Sequence, residues 1–386
     1  MNTSSFGGVA MVGSNVTAEA WRSGRVVSHD DAAIRGDPRL GALGQLKGTW
    51  QNTEGFEGRM WNMIALPFGP VGQFPFQYRL LLNQGHERLR FSVGDLGVAN
   101  RGLDQHDQHL AALLYLQEID QIMAVDAAVG PSGAAVPATP DTNDTPKGDK
   151  LTPGPGVITP DIAGIHRESG LFLRLSGQTG PCDNPNKPGP DAVRLASIPH
   201  GDSVLAMGFD GGSLPVQGAP NFANPVVVAA FDPLPIGLGD QDLNQSYLAP
   251  YKLFADAPFK GNVTKPGFKG FDPTHPLDLL ASAFDTSKVK STTTLRFDTE
   301  VSGGVAVPGG ITNIPFINCQ ASTTKVTAFF WIQEIDLNGE TRFLLQYAQR
   351  VLLEFLDRVD GQPGLIRWPH ITINTMIRSL DAGAGA

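Results

Sequence analysis

The chain has 386 residues, 41% apolar and 17% charged, enough to bury one large elaborated core or two to three ordinary ones, and disorder throughout is excluded. Its 45 glycines and 30 prolines imply many turns and favour short strands over long helices. With 29 Lys and Arg against 38 Asp and Glu, a net charge of −9 and no basic run, it lacks the electrostatic footprint of a nucleic-acid or anionic-lipid binder.

Cys182 and Cys319 stand far apart in sequence, so they build neither a disulfide framework nor a Cys-based zinc site, and a reducing cytoplasm fits best. The opening residues lack the charged and apolar blocks of a secretory signal, and no run reaches the roughly 18 apolar residues of a membrane span. The expectation is a cytoplasmic protein with no membrane or nucleic-acid partner, a small-molecule ligand, and room for homo-oligomers.

Residues 1–42 show no sustained period and read as an N-terminal arm that packs locally through Trp21, Val26 and Val27. From Leu46 the chain turns strand-like: GTW, RMWNMIALPF, FQYRLLLN and ERLRFSV are separated by Gly, Pro or Asn, the pattern of an antiparallel meander. The segment around LLYLQEIDQI fits a helix or a buried strand. A later segment, AFFWIQEIDLNGETRFLLQY, repeats the QEID core and turns through Asn338-Gly339, so 328–336 and 341–347 are predicted as a hairpin and 114–122, by analogy, as a strand. The shared QEID raises a second architecture, two related barrels.

Residues 127–164 form a Pro/Gly-rich stretch too long for an ordinary connection and read as an insertion or lid. A mixed insertion spans 209–290, where Thr274-His275-Pro276 is predicted to open a helix through about Phe284, with Thr274 as N-cap and His275 facing solvent. Residues 348–358 carry Val351, Leu352, Phe355 and Leu356 at helical spacing, although extension of the preceding strand is the competing reading. The expected domain is thus an elaborated barrel over 43–386, all-β with some helix.

No hydrolase elbow, phosphate loop, dinucleotide fingerprint or HExxH motif occurs. Asp104, His106, Asp107 and His109 crowd metal-capable groups together, but without a third ligand group at matching spacing they read as a solvated loop. His166 and Glu168, two apart, share a strand face. His370, Thr372, Asn374 and Met376 share one face of the last strand, and Ile371, Ile373, Thr375 and Ile377 the other. Read alone, His370 opens that strand beside Trp368 with its ring on a backbone carbonyl.

Four segments recur in one order: Gly48-Thr49-Trp50; His166-Arg167-Glu168-Ser169-Gly170; Ala196-Ser197-Ile198-Pro199-His200-Gly201; and Trp368-Pro369-His370 before the last strand. This order resembles that of the nitrobindins, small heme-binding β-barrels related to fatty-acid-binding proteins and lipocalins. The resemblance implies a lipocalin-like antiparallel barrel with large insertions. It also implies one heme b whose iron is held by His370, flanked by Thr372 and Asn374, with the opposite axial position open to nitric oxide, peroxynitrite or peroxide. Peroxidase or peroxynitrite-isomerase activity would need a distal acid or base, for which His166, Arg167 and His200 are the candidates; in the resembled family the H-x-E-x-G strand belongs mainly to the barrel framework. Two rival readings are a heme-free carrier of a fatty acid or other hydrophobic molecule, and an assembly protein using its long loops as contact surfaces.

Overall fold

The structure is a computed structural model that describes residues 36–68, 76–100, 108–136, 164–177, 189–209, 215–302, 305–306, 309–314 and 319–380. Ten antiparallel strands close into one barrel: β2 (Met60–Pro67), β3 (Tyr78–Asn100), β4 (Gln108–Val129), β6 (His166–Gly177), β7 (Ala192–Ile198), β8 (Asp202–Phe209), β10 (Val289–Asp298), β14 (Ser322–Leu337), β15 (Glu340–Asp357) and β16 (Leu365–Arg378). Around the barrel they run β2-β16-β15-β14-β10-β8-β7-β6-β4-β3 and return to β2. β1 (Gly48–Gln51) bridges β3 and β16 at one end. Short β5 (Ala135–Val136), β9 (Val216–Gln217) and β13 (Gly310–Asn313) add to the edges, while β11 (Val301–Ser302) and β12 (Val305–Ala306) pair with each other. The single-barrel expectation is met.

The QEID repeat does not mark a second barrel, since both copies lie in the one closed circuit. Gln117 of β4 points into the lumen, where it donates to Glu87, whereas Gln333 of β14 points outward and donates to Gln346. The two copies present opposite faces to the same barrel, so the likeness is one of composition.

Closure leaves two apolar faces to bury. Inside, Phe91, Phe172, Phe297, Phe330 and Leu345 fill the lower lumen, and Leu40, Leu43 and Leu46 plug its end beneath Trp50. The last three surround a short 3-10 turn at Gly41–Leu46, so the end of the supposed arm belongs to the core; Trp21, Val26 and Val27 lie outside the described residues. Outside, residues 215–288 wrap over β2, β3, β14 and β16 with helices α1 (Pro225–Ala230), α2 (Ala249–Asp256) and α3 (Asp278–Ser282). Trp61 packs among Phe259, Phe268 and Phe271 on this outer wall, with ring centroids 5.8–5.9 Å away. It is a core residue of the outer layer, not of the barrel floor, where Trp50 sits.

Strands covered on both sides read as continuous apolar runs. That is why 348–358 mimics a helical stripe although it is the second half of β15, with Leu356 at φ 62° beside a bulge. The same two-sided burial makes FQYRLLLN and ERLRFSV one strand, β3, with a register shift at Gln84/Gly85 where two were expected. The predicted hairpin holds: Asn338 and Gly339 both take positive φ, 57° and 87°, as the tight turn between β14 and β15 requires. Segment 114–122 is strand, within β4.

Three boundaries differ from expectation. The helix predicted from Thr274 begins only at Asp278, because the Thr274 hydroxyl is bonded to Asp272 Oδ1 at 2.7 Å instead of capping a helix; His275 is solvent-facing as expected. The last strand starts at Leu365, not at His370, with Pro369 opposite Leu352. The 127–164 insertion begins later, since β4 runs on to Val129; 137–163 lie outside the described residues, as do Asp104, His106, Asp107 and Cys182. Among the described residues no helix is long and apolar enough to cross a membrane.

Candidate functional site

The site lies at the end of the lumen opposite the Leu40–Trp50 plug. From His370 onward the strand parity on β16 is as expected: Ile371 and Ile373 belong to the outer apolar layer, so His370, Thr372, Asn374 and Met376 point inward, while Trp368 also lies in the outer layer, so the alternation breaks across Pro369. His370 does not rest on a backbone carbonyl. Its Nε2 lies 2.7 Å from Asn62 Nδ2 on β2, and the same amide reaches Thr372 Oγ1 at 3.2 Å. Asn83 on β3 donates to Asn62 Oδ1 at 3.1 Å, which turns the Asn62 NH2 toward the imidazole. Nε2 therefore presents its lone pair to Asn62 and the proton sits on Nδ1. Loss of hydration in the barrel, reinforced by the charges of His166 and His200, brings the His370 pKa down to about 3, so the ring is neutral at physiological pH.

His166 and His200 stand on the far wall. β6 is four strands from β16 around the ten-strand circuit, nearly opposite it. The two rings stack, with centroids 5.4 Å apart and planes inclined by 30°, and burial followed by the His166 charge lowers the His200 pKa. His166 Nε2 lies 3.2 Å from Glu168 Oε2, so the carboxylate fixes the ring and leaves Nδ1 as the free nitrogen.

Glu168 is itself closed off. Arg194 Nη2 approaches its Oε1 at 2.6 Å and the Tyr115 hydroxyl donates to the same oxygen. Burial alone pushes the Glu168 carboxyl up, but Arg194, His166 and Tyr115 together outweigh it and hold the pKa at about 2. Arg194 also bonds Gln349 and lies over the Tyr115, Phe172 and Phe330 rings at 5.6–5.9 Å. The glycine of H-x-E-x-G has a local cause: a Cβ on Gly170 would fall 2.7 Å from the Tyr115 ring and 2.0 Å from the Leu195 carbonyl oxygen. The expected framework role of this motif is thereby given atoms.

One layer deeper, Glu87 accepts from Tyr347 (2.5 Å), Gln117 (2.7 Å) and Asn374 (2.7 Å), while Asn52 bonds Asn374 at 2.8 Å. Burial raises the Glu87 pKa against these donors. A void of about 10 Å³ lies between this cluster and Arg194, room for about one water.

Of the six sequence-predicted residues, the structure brings His370, His166 and His200 to one compartment and Thr372 beside them. Asn374 is committed to Glu87 and Asn52, a layer below any ligand of His370. Arg167 is a correction: it points out of the barrel and pairs with Asp120 at 2.8 Å, because its odd position between His166 and Glu168 puts it on the other strand face. Sequence reasoning missed Asn62, Asn83, Glu87, Tyr115 and Arg194. Their only signal was polar residues at alternate positions within apolar strands, a pattern shared with solvent-facing sheets.

The level of His370 differs from the layers beneath it. Ile64, Leu66, Leu81, Val351 and His166 are only partly buried although all belong to the barrel interior, whereas Glu87, Glu168, Arg194 and Asn374 are closed. His370 likewise keeps some accessible surface. A neutral imidazole faces two further imidazoles across partly exposed apolar side chains, and its Nε2 becomes available as a nitrogen donor only when the Asn62 amide turns off it. Among the described residues no group of three or more His, Cys, Asp or Glu is placed to hold a bare metal ion.

Fold and site together define a closed ten-strand antiparallel β-barrel with a polar middle and a histidine-lined compartment at one end. No family model matches the chain, and no curated protein matches it. Among solved structures it is similar to "Crystal Structure of Rv2717c from M. tuberculosis", at 12% identity, covering 89% of this chain and 98% of that one, with a TM-score of 0.30.

Proposed function

We propose that the chain binds one heme b in the upper compartment of its barrel through His370 Nε2 and uses it to capture a small ligand such as nitric oxide, peroxynitrite or peroxide. The observation that carries this reading is the convergence of His370 with the stacked His166–His200 pair from opposite walls. His370 is neutral and needs no deprotonation to act as a ligand. Ile64, Leu81 and Val351 offer apolar contact beside it, and Asn62 and Thr372 can bond a bound water or polar edge once the amide turns. Bound there, heme would supply an iron able to take up a diatomic or peroxide ligand. His166, held by Glu168, leaves Nδ1 to accept a proton on the facing side, and His200 extends that path to the exposed rim. Whether this amounts to peroxidase or isomerase activity turns on that pair. A cytoplasmic setting fits the scarcity of cysteine.

The second reading is a heme-free carrier of a hydrophobic molecule, favoured by the partly exposed Ile64, Leu66, Leu81 and Val351. Arg194, which such a carrier would offer to a fatty-acid carboxylate, is already saturated by Glu168, Tyr115 and Gln349.

Hemin titration followed by absorption between 350 and 700 nm separates the two. Wild type is expected to develop a Soret band with one-to-one stoichiometry. Asn62→Val, which removes the amide from Nε2 without touching the imidazole, is expected to bind hemin several-fold more tightly. A spectrum identical to free hemin at all ratios leaves the carrier.

A further inference from the structure

Above His370 the lumen holds an ion pair that is only half made. Arg79 on β3 and Asp126 on β4 both point inward, since Tyr78, Leu80, Val125 and Ala127 belong to the outer apolar layer. The Arg79 side chain is 8% exposed and that of Asp126 is 1% exposed, yet they meet through one contact, Nη1 to Oδ2 at 3.3 Å. Arg79 Nε and Asp126 Oδ1 are buried with no hydrogen-bond partner. The Phe68 ring lies 5.4 Å beneath the guanidinium and holds it in place. A buried guanidinium has five donors in a planar fork, and leaving most of them without an anion is costly. Arg194 in the same lumen, by comparison, has Glu168, Tyr115 and Gln349.

The position of the incomplete pair matters. Ile371 is opposite Met63, which puts His370 level with Ile64; Ile64 is opposite Leu81, and Arg79 lies two residues further toward the mouth. Strand spacing and rise place the Arg79 and His370 Cα atoms roughly 12 Å apart. Between them the inward surface is Ile64, Leu66 and Leu81, all partly exposed. One end of this compartment offers a neutral imidazole, the middle is apolar, and the other end offers an under-bonded guanidinium.

We propose that Arg79 is the receptor for a carboxylate of the ligand that occupies the His370 compartment, with Asp126 as the counter-ion the ligand replaces. The inference rests on the heme reading to the extent that the carboxylate is a propionate. Arg79 donates two N–H groups, one of them Nε, to the ligand carboxylate, and Asp126, whose pKa burial already raises to about 6, takes up a proton as it loses its partner.

The test compares hemin with its dimethyl ester, which has the same ring and iron but no free carboxylate. Wild type is expected to bind hemin about tenfold more tightly than the ester, the size of one charge-assisted bond. Because Arg79→Gln alone strands Asp126, the diagnostic variant is the neutral pair Arg79→Gln/Asp126→Asn, expected to bind both forms equally and at the wild-type affinity for the ester. Asp126→Asn alone is expected to strengthen hemin binding. Equal affinities of wild type for hemin and ester overturn the proposal. If wild type binds neither, the heme reading fails on its own, and the same comparison with a fluorescent twelve-carbon carboxylate and its methyl ester decides Arg79: a preference for the acid that the neutral pair abolishes upholds it, and no preference overturns it.

Discussion

Glu168→Ala is expected to lower the unfolding free energy by about 3–5 kcal/mol, the loss typical when one partner of a buried ion pair is removed. The cost comes mainly from what remains. Arg194 is 4% exposed, and without Glu168 its positive charge faces the Phe172, Tyr115 and Phe330 rings with only Gln349 and the Tyr115 hydroxyl as acceptors. His166 loses its orienting carboxylate at the same time. Urea unfolding of wild type, Glu168→Ala and the double variant Glu168→Leu/Arg194→Leu separates charge burial from packing, since the double variant removes both charges and should recover most of the loss. A Glu168→Ala variant within about 1 kcal/mol of wild type would mean that Glu168 and Arg194 do not form a buried ion pair.

Acid sensitivity is the second large effect. His370 has its folded pKa lowered to about 3 from the ordinary 6.5, by burial first and then by His166 and His200. Below about pH 6.5 the unfolded chain takes up a proton that the native ring refuses, so stability is lost as pH falls from 6.5 toward 3. The slope approaches about 1.4 kcal/mol per pH unit, and the loss reaches up to about 3 kcal/mol by about pH 4. His86 and His200, also lowered, add to it, and Glu168, held at about 2, contributes a further loss only below its unfolded value of 4.5. The wild-type slope is therefore not assignable to one residue, but its difference from His370→Gln is. That variant is expected to unfold with a shallower pH dependence between 6.5 and about 4.5; parallel curves would contradict a buried neutral imidazole.

The legible parts of this molecule were those governed by one local rule. Alternation along ITINTMI put His370 and Thr372 on one face and Ile371 and Ile373 on the other, and the lumen and outer wall divide them the same way. Asn338-Gly339 announced its hairpin because few residue pairs tolerate two consecutive positive φ values. The His166–Glu168 relation was readable from a spacing of two. What stayed hidden depended on partners distant in sequence. Asn62 and His370 are 308 residues apart, and Tyr115 and Glu168 are 53 apart. Nothing local marks Glu87 or Arg194 as buried, since a polar residue at every second position describes a solvated sheet equally well. Residues 348–358 misled for the converse reason: Ala348 and Phe355 face the outer layer and Val351 the lumen, and apolar demand from both sides imitates a helical stripe.

If His370 Nε2 is the attachment point for the iron of a bound heme, replacing the imidazole removes that ligand. Hemin is titrated into wild type, into His370→Gly, and into His370→Gly with millimolar free imidazole, each followed through the Soret region. Wild type is expected to show a Soret band that is lost or displaced in the glycine variant and returns when imidazole enters the space the side chain left. A wild-type Soret band that persists unchanged in His370→Gly would contradict the assignment of the ligand, and a spectrum of free hemin in all three samples would contradict the heme reading itself.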